Sequence, residues 1–324
     1  MSRIAVTGGA GRLGRSLVAG LAAAGHETVS LDRAVSDAVE LQGLEQIAVD
    51  LTDTDAATRA IAGTRADALI HLAAIAVPFS APEEVILRTN ATMALTVMTA
   101  GVAAGIPKIV TASSPTVLGY GAPKGWLPDR LPLDEETTPK PWNAYALSKH
   151  LAEQTMAMLA RQTGDATRFA AFRPCYVIAP EEWKGAPTQQ GHTVAERLAD
   201  PALSAPALFN YVDARDVATF IDTLLVALPD IPNAEVFFVG ADDALARRPL
   251  AELLPRFVPG TEELAAELTG TAPAFSNAKA RRVLGWRPAH NWRGELGEPP
   301  FGPVPHSHPA LAPSPDLARK DVLA

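Results

Sequence analysis

The chain carries a tyrosine and a lysine four residues apart, Tyr145-Ala146-Leu147-Ser148-Lys149, and two adjacent hydroxyls, Ser113-Ser114, at the end of an apolar run. Residues four apart on a helix lie one turn apart on one face. A phenol titrates at a pKa of about 10 when unperturbed, and an ammonium beside it favours its ionised form. A tyrosine so placed can take a proton near neutral pH, which is general acid–base chemistry.

The N-terminal stretch supplies a cofactor site. Ile4-Ala5-Val6-Thr7 reads as a strand, Gly8, Gly11 and Gly14 as a tight turn, and Leu13, Leu17, Val18 and Leu21 as the apolar stripe of a following helix. A backbone without β-carbons lets a pyrophosphate approach closely, and the free N–H groups and positive dipole end of the helix face its charge. A second apolar run, Thr28-Val29-Ser30-Leu31, ends at Asp32. Its carboxylate can accept hydrogen bonds from the adenosine ribose hydroxyls and repel a 2′-phosphate. NAD is therefore expected over NADP, although Arg12 and Arg33 could neutralise a 2′-phosphate if they turned toward the ribose. A positive nicotinamide ring would add to Lys149 in favouring the ionised tyrosine.

The remaining elements form the frame. A third strand is read at Gln46–Asp50, placing Asp50 and Leu51 at its carboxyl end, where ligands of open α/β sheets gather and Asp50 could touch the adenine amino group. A fourth strand runs through His71 and Leu72 into Ala73-Ala74, small residues that let the backbone pass beside a cofactor. His71 is a candidate for catalysis, though a lone histidine at a strand end is more often packed and hydrogen-bonded. A long helix is expected from about Pro82 to Ala104, then a strand at Lys108–Ala112, a helix from Asn143, a strand at Arg168–Phe172, a helix at Asp213–Leu228 and a strand at Glu235–Val239. Alternating strands and helices imply a parallel sheet covered on both faces. The uncharged stretch Thr89–Pro107 has the length of a membrane span, but its threonines, glycines and flanking strands fit a helix inside a globular fold.

Composition narrows the function. A chain of 324 residues with 48% hydrophobic content can bury a large core. A net charge of −8 without a Lys/Arg run argues against nucleic acid. The single cysteine, Cys175, permits no internal disulfide, and no signal segment precedes the first strand, so a cytoplasmic protein is expected. No metal site is read.

Taken together, the glycine loop, Asp32, Ser113-Ser114-x-x-Val117-x-Gly119 and Tyr145-x-x-x-Lys149 resemble the extended short-chain dehydrogenases/reductases, the NAD-dependent epimerase/dehydratase family. Asn90, Arg173-Pro174, Tyr211-Val212-Asp213-Ala214-Arg215-Asp216-Val217-Ala218 and Gly285-Trp286-Arg287-Pro288 extend the likeness over about residues 3 to 293. The resemblance implies an α/β fold: a Rossmann-type doubly wound parallel sheet with a smaller C-terminal substrate-binding lobe. Residues 1–180 would form the NAD domain, with its sheet completed by parts of 208–240. Residues 181–297 would form the lobe, and the Pro-rich 298–324 a mobile tail.

By that resemblance Tyr145 is the catalytic acid or base, Lys149 binds the nicotinamide ribose and lowers the tyrosine pKa, and Ser114 holds the reacting oxygen. Ser114 is preferred to Ser113 because it precedes Gly119 by the family's interval. The expected cofactor contacts are Gly8, Gly11, Arg12, Leu13, Gly14, Asp32, Asp50, Leu51, Leu72, Ala73, Ala74, Asn90, Tyr145 and Lys149, and the expected substrate contacts Ser113, Ser114, Arg173 and Tyr176. A homodimer is implied through the helices starting near Pro82 and Asn143, with Met93, Met98, Met156 and Met158 available to it.

A small-molecule substrate is expected. Nucleotide-sugar enzymes of the family have Asn where Tyr176 stands and a phosphate-binding Arg where Phe209 stands, and a phenyl ring cannot replace that charge-assisted hydrogen bond. The stretch from Pro180 to Tyr211 is short for enclosing a nucleotide. Ser113-Ser114 through Gly119-Tyr120 is similar to uronate dehydrogenases, and Arg173 could hold a sugar-acid carboxylate. Gln189, Gln190 and His192 could read sugar hydroxyls; Trp183 could line the pocket or close the lobe. Pro115 and Thr116 stand where dehydratase acids would, which disfavours dehydration. An NAD-dependent oxidoreductase is expected, with epimerisation on bound NAD as one alternative and a non-catalytic NAD-sensing regulator as another.

Overall fold

A computed structural model describes residues 1–299. Its first layer is a parallel sheet built from β1 (Arg3–Thr7), β2 (Glu27–Asp32), β3 (Glu45–Ala48), β4 (Ala68–His71), β5 (Lys108–Ala112), β6 (Arg168–Pro174) and β9 (Glu235–Val239). The strand order is β3-β2-β1-β4-β5-β6-β9, so successive crossovers run in opposite directions from β1 and β4. The loops leaving those two strands part there, opening the crevice in which such sheets bind ligands.

The strands are apolar on both faces because both are covered. Ile4, Val6, Ile70 and Val110 pack toward α1 (Arg12–Ala23) and α7 (Ala214–Ala227). Ala5, Leu69, Ile109 and Phe169 pack toward α2 (Thr54–Thr64), α3 (Glu83–Ala103) and α4 (Ala144–Thr163). Side chains one residue apart on a strand point to opposite faces, and these two sets follow that period.

α3 has the length and hydropathy of a membrane span, yet Ile86, Asn90, Met93, Ala94, Val97 and Met98 are buried within the chain. Met156 is also core, so of the four methionines considered for a dimer contact only Met158 faces outward. α4 starts where Asn143 accepts a hydrogen bond from the Ala146 amide at 2.8 Å, and Glu83 accepts one from Ala144 at 2.7 Å. The cap stops the preceding loop and the second bond fixes the start of α4 against α3. β3 ends two residues earlier than its apolar pattern suggests, because Asp50 turns back to accept from the amide and hydroxyl of Thr52.

β7 (Val177–Ile178) pairs with β8 (Val212–Asp213), and between them lie α5 (Pro180–Trp183) and α6 (Val194–Ala199). After α7 and β9 the chain adds α8 (Leu250–Phe257), α9 (Glu262–Ala265), α10 (Ala278–Leu284) and α11 (Trp292–Leu296). The tail read at 298–324 lies outside the described residues from position 300 onward.

Candidate active site

The glycine turn is built for close approach. Gly8 has φ +71°, and a Cβ there would sit 2.8 Å from the Ala73 amide nitrogen. A Cβ on Gly14 would sit 2.1 Å from the Gly8 carbonyl oxygen, so α1 can pack on the turn only without a side chain. Gly11 begins α1 and no side chain caps that end, leaving the first-turn amides at Arg12 and Leu13 available to a phosphate. The Leu72 amide donates to the Thr7 carbonyl at 3.1 Å, which brings Leu72, Ala73 and Ala74 beside the turn. These features fit a dinucleotide.

Asp32 ends β2 with one carboxylate oxygen accepting from the Ala10 amide at 3.1 Å and the other from the Arg33 amide at 2.7 Å. Its charge therefore stands at the turn, where an adenosine ribose would lie. Arg12 points elsewhere: its guanidinium pairs with Glu182 and reaches Gln189 at 3.2 Å, across to the segment after β7. Its guanidinium is thus taken up by that segment. Asp50 is held by Thr52, and Leu51 is buried.

Across the crevice, Tyr145 and Lys149 share one face of α4, with the ammonium 5.9 Å from the phenol ring centre. Lys149 is 7% exposed and donates to the Ala112 carbonyl at 2.9 Å. Burial lowers its pKa to about 8. Burial raises that of Tyr145 above the usual phenol value, and a hydrogen bond with Ser114 offsets only part of the rise. Ser114 is the hydroxyl that meets the tyrosine.

Ser113 and Arg173 are both bonded to Glu153. The Ser113 hydroxyl donates to Glu153 at 2.5 Å, and Arg173 grips both oxygens of Glu153 at 2.8 and 2.9 Å. All three are buried. Burial opposes ionisation of Glu153, but the bonds from Arg173, with His150 and Ser113, hold its pKa down to about 2. The cation expected to meet a substrate carboxylate already has a carboxylate, one turn along α4 from Lys149.

Asn90 links parts of the frame: its carbonyl accepts from the Ile75 amide at 2.8 Å, and its amide donates to the Ile75 carbonyl and the Ser148 hydroxyl, each at 3.1 Å. It thus ties the loop after β4 to the helix bearing Tyr145. His71 is buried against Thr7 at 2.8 Å, and desolvation with Lys149 nearby lowers its pKa to about 3, so it stays neutral. Burial pushes the Cys175 thiol up, which leaves no nucleophile there. Trp183 is buried and donates to Asp213 at 2.6 Å, closing the lobe. Phe209 is core, stacked edge-on to Phe257. Among the described residues, no group of three His, Cys, Asp or Glu could hold a metal ion.

The contacts of Glu153, Asn210 and Thr116 are not evident from the sequence. Glu153 repeats the four-residue interval from Lys149 and was discoverable by extending it. Asn210, which accepts from the Tyr176 amide at 2.7 Å and bonds the Tyr120 hydroxyl, had no sequence signal. Thr116 was read for the acid it lacks; its hydroxyl donates to Ser114.

The fold and site define an extended short-chain dehydrogenase/reductase architecture, with a dinucleotide crevice opposite a Ser-Tyr-Lys set. The model of the NAD dependent epimerase/dehydratase family matches residues 4–240, and the chain belongs to that family, whose cofactor is NAD. A UDP-glucose 4-epimerase of Azospirillum brasilense is 32% identical over 163 residues, 48% of this chain and 43% of that protein. A uronate dehydrogenase of Agrobacterium fabrum is 29% identical over 208 residues, covering 64% of this chain and 74% of its own length. The chain thus matches less than half the length of that epimerase. Among solved structures, a UDP-galactose 4-epimerase superposes with a TM-score of 0.63 at 25% identity, covering 91% of this chain and 96% of the other.

Proposed function

We propose that the protein is an NAD-dependent oxidoreductase acting on a hydroxyl or carbonyl of a sugar or sugar acid, with Tyr145 as acid/base. The observation that carries this reading is the meeting of Ser114, Tyr145 and Lys149 beside the glycine turn. NAD, when bound, supplies the hydride acceptor. Ser114 holds the reacting oxygen by a hydrogen bond, and Tyr145 accepts the hydroxyl proton as the carbonyl forms. The Lys149 ammonium favours the ionised phenol through its field and anchors the cofactor ribose. Reduction of a ketone runs the same proton path backward. Retention of all three groups speaks against a regulator that only senses NAD.

Phe209 in the core and the Tyr176 hydroxyl on an arginine support a substrate smaller than a nucleotide sugar. The epimerases among the relatives favour a second reading, transient oxidation on tightly held NAD. A homodimer through the outer faces of α3 and α4 is supported by Leu95, Leu151 and Met158, each more than a third exposed. The free, buried Cys175 accords with a cytoplasmic protein.

The test is NADH absorbance with purified protein and NAD⁺ across free aldoses, uronates and nucleotide sugars. Sustained NADH release from a free sugar or acid supports the proposal. Constant absorbance while a UDP-sugar changes into its epimer contradicts it and establishes the second reading.

A further inference from the structure

Arg197 on α6 is 1% exposed, and its guanidinium meets only neutral acceptors. Nε donates to the Thr188 hydroxyl at 3.3 Å and Nη1 to the Leu203 carbonyl at 2.7 Å. Nη2 donates to the Tyr176 hydroxyl at 3.2 Å and to the amide oxygen of Gln190. The group also lies 4.5 Å over the Tyr176 ring. Glu182, the acid that acts on it through space, forms its ion pair with Arg12. Two guanidiniums thus face one carboxylate, and one positive charge is left without a counter-ion among the described residues.

A charge taken from water without a counter-ion is unfavourable unless something supplies the opposite charge. The acceptor easiest to replace is Gln190. It is exposed, is followed by Gly191 at φ +83°, and sits in a loop closed by Thr188 and His192. Its neighbour Gln189 bonds Arg12 in the same way. Gln189 on Arg12 and Gln190 on Arg197 set the Arg197 guanidinium beside the glycine turn.

Resting on the oxidoreductase reading above, we infer that Arg197 is the specificity-determining residue for the carboxylate of a sugar-acid substrate, which replaces the Gln190 amide oxygen on its outer nitrogen. The Tyr176 hydroxyl would bond the same carboxylate. This assigns to Arg197 the role expected from sequence of Arg173, whose carboxylate partner is Glu153.

The experiment compares glucuronate and galacturonate with glucose and galactose, reading NADH formation by the intact protein. The acids are expected to be preferred. In Arg197→Gln the ratio of kcat/KM for acid over neutral sugar falls by about 10- to 100-fold, the range of a lost charge-assisted bond. Gln190 is exposed, so Gln190→Glu tests the same point without burying a changed group. Its carboxylate would occupy the guanidinium and lower the ratio about tenfold, through KM for the acid. Neutral sugars oxidised as well as acids, or a ratio unmoved in both variants, overturns the inference and leaves the oxidoreductase reading standing. No NADH from any of the four sugars, with UDP-glucose converted to UDP-galactose, overturns that reading and the inference with it.

Discussion

The Thr116 hydroxyl donates to Ser114 Oγ at 2.8 Å, and the Thr116 amide donates to the same oxygen at 3.2 Å. With both acceptor positions of Ser114 filled, its single proton is left for Tyr145 or, once substrate is bound, for the substrate oxygen. Thr116 is thus a positioning residue acting through Ser114. Thr116→Val frees the serine to rotate, and kcat is expected to fall about tenfold with KM little changed, the equivalent of one hydrogen bond. The pH profile of kcat should move to higher pH, since Ser114 no longer holds the phenolate, and Thr116→Ser should restore both. An unmoved profile in Thr116→Val would refute the role.

Asp32 faces the turn while Arg12 is held by Glu182, so the site favours NAD. Asp32→Ala should raise KM for NAD⁺ about tenfold or more and narrow the gap to NADP⁺, as a repulsive carboxylate is removed. Steady-state titration with each cofactor measures this. An unchanged preference would mean that another group discriminates the 2′-position.

The Glu153–Arg173 pair is buried on both sides, with side chains 5% and 4% exposed. Arg173→Met leaves Glu153 as an uncompensated charge and is expected to destabilise the fold by about 3–5 kcal/mol. Urea denaturation measures that loss. If Arg173→Met instead keeps its stability and raises only KM for acidic substrates, Arg173 is a substrate residue after all.

Much of this frame was legible because a strand covered on both faces must be apolar and a turn that meets phosphate must lack side chains. Ile4–Val6, Gly8 and Gly14 follow from those demands alone. Tyr145, Lys149 and Ser114 were legible because a helical interval and a strand end place them. That Ser113 and Arg173 both bond Glu153 is not legible, because sequence shows residue types but not partners. The four-residue interval from Lys149 puts Glu153 on the same face of α4, but only the fold shows that it bonds both of them. Arg197 and Thr116 were hidden for the same reason: their significance lies in what they touch across loops without a periodic pattern.

His71 gives the fold an acid limb. Its pKa is about 3 in the folded chain against 6.5 unperturbed, so between these values the unfolded chain binds more protons. Stability therefore falls as pH drops from 6.5 toward 3, with a slope approaching ~1.4 kcal/mol per pH unit from this group. The contribution of Glu153 is lost in a lower window, from 4.5 down to about 2. Denaturation of His71→Asn at pH 7 and pH 5 should show a smaller difference than the parent chain. An equal difference would mean that His71 titrates normally.

The most direct test of the central claim is Tyr145→Phe, assayed for NAD⁺ affinity by titration and for turnover on the best substrate of the panel. The phenyl ring keeps the packing on α4 and removes only the hydroxyl that exchanges the proton. NAD⁺ affinity within a few-fold of the parent, with kcat reduced by about 10²–10⁴-fold, is the result expected of a lost acid/base group. Turnover within tenfold of the parent would show that the proton leaves by another route and that Tyr145 is not the catalytic residue.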